Sequence, residues 1–314
     1  MLLNARSSRV KAARLLARRS MRERSRLFLA EGPQAVREAL GGRSAAERSG
    51  SAGGSGLSGA RGCPPASGVS ARASTAITEL FVTGPARTRH EELVEAVATS
   101  GAPVHEIDEA LMAELAQTVT PQGLLAVCPF IDVPLANLVA RSLRLVVILA
   151  NVRDPGNAGT VLRTADAAGA DAVVFAGDSV DPYNSKCVRA CTGSLFHLPF
   201  ATGVPVAEAT AGMREISLAV LAADGTATLG LDQLEAAGRL GRPTAWLFGN
   251  EAWGLPADLL ALADEAVAVP IYGRAESLNL AAAAAVCLYA SARSHQGGVP
   301  DGSSDTLGFG YVAS

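Results

Sequence analysis

The sequence predicts an α/β protein with a parallel sheet in its second half, preceded by a smaller α/β unit. Three observations carry that reading. The chain has 314 residues, 49% hydrophobic and 18% charged, which is enough to bury two cores of roughly 150 residues each. Short apolar runs recur between helical patterns along both halves. In the second half those runs contain no polar residue, as expected of strands covered by helices on both faces.

Residues 1–26 form a basic N-terminal arm or helix. From 27 to 128 the patterns predict strands over 27–30, 77–83, 104–107 and 124–127, and helices over 33–40, 91–98 and 109–117. Inside that unit, residues 41–75 hold nine Gly and eight Ser, with Leu57 and Val69 as the large aliphatics. Such a segment cannot offset its ordering entropy, so it reads as a flexible insertion. Residues 129–142 read as a linker. The second unit, 143–296, places strands at 145–149, 172–175, 218–221, 245–248 and 267–269 and ends on an Ala-rich helix from 280. There the small face of Leu280, Ala281, Ala284, Ala285 and Leu288 suits either a core or a subunit interface. The Gly/Ser/Asp-rich stretch 297–314 reads as a loose tail.

The net charge of -3 hides a segregation. Arg6, Arg9, Lys11, Arg14, Arg18, Arg19, Arg22, Arg24 and Arg26 face Glu23 alone, so the first 26 residues carry about +8 and the remainder about -11. A segment this cationic suits a polyanionic partner, because each neutralised phosphate releases condensed counterions. A solvated basic helix or an organelle presequence is the other reading of the same residues. The cysteines Cys63, Cys128, Cys187, Cys191 and Cys287 are odd in number and include no C-x-x-C pair, which predicts a reducing, cytoplasmic setting. Cys187 and Cys191 have His197 as their one neighbouring histidine, too few ligands for zinc, so no metal is expected. No run approaches the roughly 20 uncharged apolar residues of a membrane span, so no membrane partner is expected.

Ligands of open parallel sheets bind beyond the carboxyl ends of strands, and three such loops are unusual here. After Leu149 comes Asn151-Val152-Arg153-Asp154-Pro155-Gly156-Asn157, a turn with Asn157 as the expected N-cap of a helix that Gly169 ends. Arg163, on the second turn of that helix, leans back toward the strand end. It is either a phosphate or sugar ligand in the crevice or a partner of Asp166 on a solvated face. After Phe248 comes Gly249-Asn250-Glu251-Ala252-Trp253-Gly254. Glu251 there either accepts from a ligand hydroxyl or an arginine, or sits early in a helix where the dipole favours it. After Val269 comes Pro270-Ile271-Tyr272-Gly273-Arg274-Ala275-Glu276-Ser277-Leu278-Asn279, with Ser277 as the expected cap of the last helix. Neither a G-x-G-x-x-G turn after the first strand nor a phosphate-binding P-loop occurs, which disfavours a dinucleotide or P-loop enzyme.

Taken together, N-V-R-D-P-G-N-A-G-T-V-L-R-T at 151–164, L-F-G-N-E-A-W-G-L at 247–255 and V-P-I-Y-G-R-A-E-S-L-N at 269–279 resemble the three motifs of the SpoU (TrmH-like) RNA ribose methyltransferases of the SPOUT superfamily, in order and spacing. The resemblance covers roughly 143–294, and the preceding unit looks like the substrate-binding domain of several members. It implies a deep C-terminal trefoil knot, S-adenosylmethionine as cofactor without a metal, and transfer of its methyl group to a ribose 2′-hydroxyl. Ribosomal RNA is favoured over transfer RNA. A transfer RNA enzyme or a non-catalytic RNA-binding relative is the alternative.

By motif position, Gly249, Val269, Ile271 and Leu278 would lie against the cofactor, joined by Leu221, Ala222 and Ala223 of the loop after an internal strand. Asn157, Arg163, Glu251, Ser277 and Asn279 occupy the catalytic pocket of the family. Arg163 would hold the ribose-phosphate, with Glu251, Ser277 and Asn279 orienting it. The resemblance also implies a homodimer through the knot region, with RNA on Arg6, Arg9, Lys11, Arg14, Arg18, Arg19 and Arg153.

Overall fold

In the computed structural model, which describes residues 2–41 and 76–296, the chain builds two sheets. The insertion and tail read at 41–75 and 297–314 lie outside the described residues except for Gly41, as does Cys63. The first sheet contains β1 (Leu27–Glu31), β2 (Glu79–Val82), β3 (Val104–Glu106) and β4 (Leu124–Pro129) in the order β1-β4-β2-β3. β4 runs antiparallel to both of its neighbours, and β2 and β3 are parallel.

The second sheet has seven strands: β5 (Leu145–Ala150), β6 (Ala172–Ala176), β7 (Phe200–Val204), β8 (Ala219–Ala223), β9 (Leu229–Gly230), β10 (Thr244–Phe248) and β11 (Glu265–Ala268). Their order is β7-β6-β5-β10-β8-β11-β9, and every pairing is parallel. Along β5, Leu145, Val147 and Leu149 join one core, while Val146, Ile148 and Ala150 join the other. Both faces are dry, which is why the strand reads in sequence as an apolar run without alternation. The first face is covered by helices Pro155–Ala167, Ser185–Ala190 and Leu280–Gln296, the second by Leu135–Val139 and Val206–Glu215.

The linker and the basic segment are among the elements that differ from the sequence reading. The stretch read as a linker carries helix Leu135–Val139, anchored by fully buried Leu138. Of the two readings of the basic segment, arm or helix, the second holds, and the helices are packed against the first sheet. The segment folds into helices Ser8–Leu15 and Arg19–Ser25, whose Val10, Ala13 and Leu16 pack with Phe81, Ile107 and Met112. Its cations are largely consumed by carboxylates: Arg9 with Glu79, Arg14 with Glu114, Arg19 with Glu23, Arg22 with Asp181 and Arg26 with Asp132.

The two sheets are joined by polar contacts around Tyr183 and helix Ser185–Ala190. The Tyr183 ring stacks on Phe130 at 3.8 Å and tilts against Phe28 at 4.7 Å. Its hydroxyl donates to Asp132 Oδ1 and accepts from the Ile131 and Asp132 N–H groups, each at 2.7 Å. Arg22 places Nε and Nη2 on Asp181 Oδ2 at 2.9 and 2.6 Å, and Nη1 on the Leu16 and Ala17 carbonyls. The Arg22 and Asp181 side chains are 5% and 10% exposed, so removing either leaves an uncompensated buried charge. We expect Arg22→Ala to cost about 3–5 kcal/mol in chemical denaturation, and a loss below about 1 kcal/mol would remove this lock from the account. His197 forms a second bridge, from Glu38 Oε2 at 2.8 Å to Asp166 Oδ2 at 2.7 Å. Burial opposes its charge, but the hydrogen bonds and charges of the two carboxylates outweigh this and raise its pKa above the ordinary value.

The last helix turns its small face inward. Ala284 and Leu288 are fully buried and Ala281 nearly so, against helix Pro155–Ala167, which makes that face core. Among the described residues, no helix is long and apolar enough to cross a membrane.

Candidate active site

The loops after β5, β10 and β11 converge at one rim of the seven-stranded sheet. Their meeting point is Glu251. Its Oε2 accepts from the Arg153 N–H and its Oε1 from the Asp154 N–H, both at 3.1 Å. Asn157 Nδ2 donates to the same Oε1 at 3.3 Å, and Asn279 Nδ2 donates to Asn157 Oδ1 at 3.1 Å. One carboxylate and two amides thus connect loops that lie up to 122 residues apart in the chain. Beside them, Asn250 is 5% exposed and donates to the Asn151 carbonyl at 2.7 Å, tying the ends of β10 and β5.

Local caps set these positions, though not those the sequence suggested. The helix begins at Pro155, and its N-cap is Asp154, which accepts from the Asn157 N–H at 2.8 Å. Asn157 therefore lies in the first turn, with its amide free to reach Glu251. Proline is favoured at the first helical position, which moves the start upstream of the expected cap. The Lys186 ammonium, followed by the Asn157 N–H, holds the Asp154 carboxyl below its usual range. At the last helix Asn279, not Ser277, is the cap, with Oδ1 accepting from the Ala281 N–H at 2.8 Å.

A cavity of about 310 Å³ opens between the loops, within the usual range of small-molecule sites. Its apolar wall includes Ala223, Phe248, Val269, Ile271, Leu278 and Leu280, and Gly249 forms part of its floor. A Cβ on Gly249 would fall 2.4 Å from the Gly254 carbonyl, so only glycine allows the Asn250–Gly254 bridge to close. Asp224, Glu251 and Glu276 also line the cavity, with no Lys or Arg among its described lining residues. That lining favours a ligand with a positive charge and an apolar part.

The profile of the SpoU rRNA methylase family matches residues 144–289, and that of the RNA 2′-O ribose methyltransferase substrate-binding domain matches 70–133. The chain is 31% identical over 230 residues to the 23S rRNA (guanosine-2′-O-)-methyltransferase RlmB of Bordetella pertussis, covering 72% of this chain and 92% of that protein. It belongs to the SpoU family. The 23S rRNA (guanosine(2553)-2′-O)-methyltransferase RlmP of Bacillus subtilis is 36% identical over 196 residues, with 60% and 73% covered. Among solved structures, the AdoMet-bound rRNA methyltransferase of Sinorhizobium meliloti superposes with a TM-score of 0.72 at 27% identity, covering 93% of this chain and 97% of that one. The SpoU methyltransferase AviRb of Streptomyces viridochromogenes in complex with AdoMet gives 0.69 at 27% identity, with 93% and 100% covered.

In this SpoU chain, Ala223, Gly249, Val269, Ile271, Leu278, Glu251 and Ser277 all line the cavity. Leu221 and Ala222 do not. They are strand residues with no exposure, one packed into each core. Among the described residues, Arg163 makes no hydrogen bond to Glu251, Ser277 or Asn279; its Nη1 donates to Thr192 Oγ1 at 3.4 Å. Of the cations expected on RNA, all but half-buried Arg14 are exposed; Arg9, Arg14 and Arg19 face carboxylates and Arg153 lies 3.5 Å from Asp178, while Arg6, Lys11 and Arg18 have no ion pair among the described residues. Sequence reading missed Thr192 and Asn250. The Asn of G-N-E beside Glu251 was a usable signal for the second, and nothing near Thr192 in the chain points to the first.

Proposed function

We propose that this SpoU chain transfers a methyl group from S-adenosylmethionine to a ribose 2′-hydroxyl of ribosomal RNA, acting in the cytoplasm. The observation that carries the reading is the joining of three loops through Glu251, Asn157 and Asn279 beside a carboxylate-lined apolar cavity. The Gly249 backbone and the side chains of Ala223, Val269, Ile271 and Leu278 would hold the cofactor, which supplies an electrophilic methyl group when bound. The site's carboxylates complement its positive charge. Both Glu251 oxygens are occupied by N–H donors, so Glu251 serves to fix the turn that carries Asn157. Arg163 holds the ribose-phosphate and favours the negative charge that develops on the sugar oxygen. A guanidinium has no lone pair free to accept a proton, which makes Arg163 an electrostatic and positioning group. Ser277 lines the cavity, and Asn279 donates to Asn157 beside Glu251.

The wider reading has three parts. Residues 27–128 form an RNA substrate-binding domain and 143–296 the methyltransferase domain, with exposed Arg6, Lys11 and Arg18 toward RNA. The C-terminal segment forms a trefoil knot, supported by the packing of the last helix on Pro155–Ala167 and by the likeness to solved SpoU structures. The chain forms a homodimer through this region, where Trp253, Tyr272, Val286 and Tyr289 are 58%, 90%, 43% and 45% exposed. Incubation with an unmodified 23S ribosomal RNA transcript and methyl-labelled S-adenosylmethionine tests the reading. We expect a labelled nucleotide whose backbone resists alkaline cleavage, from a preparation that sediments as a dimer. Label confined to a base would overturn the reaction, and an active monomer would overturn the assembly.

A further inference from the structure

The contacts of Arg163 lead away from the three motifs and into the four-stranded unit. Among the described residues its one side-chain hydrogen bond is to Thr192 Oγ1. Thr192 has φ 49°, in the left-handed region that β-branched residues rarely adopt. Residues held there against local preference cluster at functional sites. The next residue, Gly193, has φ 95°, and a Cβ on it would fall 2.6 Å from Glu38 Cγ. The aliphatic part of Glu38, from helix Pro33–Gly41, therefore lies directly on the Thr192–Gly193 turn.

The carboxylate of Glu38 is held in turn. Its Oε2 meets His197 Nε2 at 2.8 Å, and His197 Nδ1 meets Asp166 Oδ2 at 2.7 Å. Asp166 lies one turn beyond Arg163 on the same helix, so both ends of this chain of contacts return to the element that carries Arg163. We infer that Glu38 of the small unit, braced by His197, is a positioning residue that sets the Arg163 guanidinium through the Thr192–Gly193 turn. The inference rests on the proposed role of Arg163. It makes the small unit part of the catalytic geometry as well as a carrier of substrate.

The full-length chain is tested at saturating S-adenosylmethionine and saturating 23S ribosomal RNA transcript, reading the single-turnover rate constant. Thr192→Ala removes the acceptor and relieves the backbone, so thermal stability should hold or rise. The rate constant should nevertheless fall roughly 10–100-fold, the scale of a small misplacement of a reacting group. Thr192→Ser, which restores the hydroxyl, should recover most of the rate. Glu38→Ala should lower the rate constant with calorimetric S-adenosylmethionine affinity unchanged, and the Glu38→Ala/Thr192→Ala double variant should be no slower than the slower single one. A wild-type rate constant in either single variant overturns the inference, as does full additivity in the double variant. Arg163→Ala separates this from the underlying reading: loss of transfer there with normal Thr192→Ala turnover sinks the positioning role alone, whereas normal turnover in Arg163→Ala sinks the reading itself.

Discussion

Arg163→Ala lowers methyl transfer by about 10²–10³-fold while leaving S-adenosylmethionine affinity close to that of the unaltered chain, the scale expected on losing one preorganised charge-stabilising group. The two readouts separate because the cavity lining does not include Arg163. Its side chain is exposed and hydrogen-bonds only Thr192 among the described residues, so truncation opens no hole in the core. A stability change beyond about 0.5 kcal/mol is therefore not expected. Arg163→Lys keeps the charge but loses the planar fork, and should recover only part of the rate. Single-turnover kinetics and calorimetry on the same preparation make the comparison, and near-normal transfer in the alanine variant would take Arg163 out of the reaction.

Gly249→Ala acts on the other side of the site. The added methyl group would meet the Gly254 carbonyl at 2.4 Å and Leu255 Cγ at 2.7 Å, and backbone cannot yield as a flexible side-chain end would. The paired Asn250–Gly254 hydrogen bonds, both 2.9 Å, must open, moving the wall of the cavity and the Glu251 carboxylate together. We expect cofactor affinity to fall by at least about 100-fold, roughly 2.7 kcal/mol. The overpacking itself should cost about 1–3 kcal/mol of stability. Calorimetric titration with S-adenosylmethionine checks the first value, and an affinity within about threefold of the parent would show that the loop reaches its bound form without that bridge.

The motifs were legible because each chemistry-bearing residue sits within a few positions of an apolar run that announces its strand. β5, β6, β8, β10 and β11 follow from such runs. β7 does not, since Phe200–Val204 is interrupted by Gly203 at φ 68° and a register shift. β9 has two residues and carries no pattern. The caps were misplaced by two or three residues where several capping side chains compete, as Asp154 does with Asn157 and Asn279 with Ser277. Charge density in the first 26 residues was visible, but its disposition was not. The carboxylates that take up Arg14 and Arg22 lie 100 and 159 positions away. A comparable distance in sequence separates Thr192 from Glu38, the helix residue of the small unit that lies on its turn.

The Tyr183 junction, with the buried Arg22–Asp181 pair and the His197 bridge beside it, leaves the two lobes little freedom to hinge. On the proposed function, the adjustment needed to bring a sugar oxygen to Arg163 would then fall on the RNA and not on the protein.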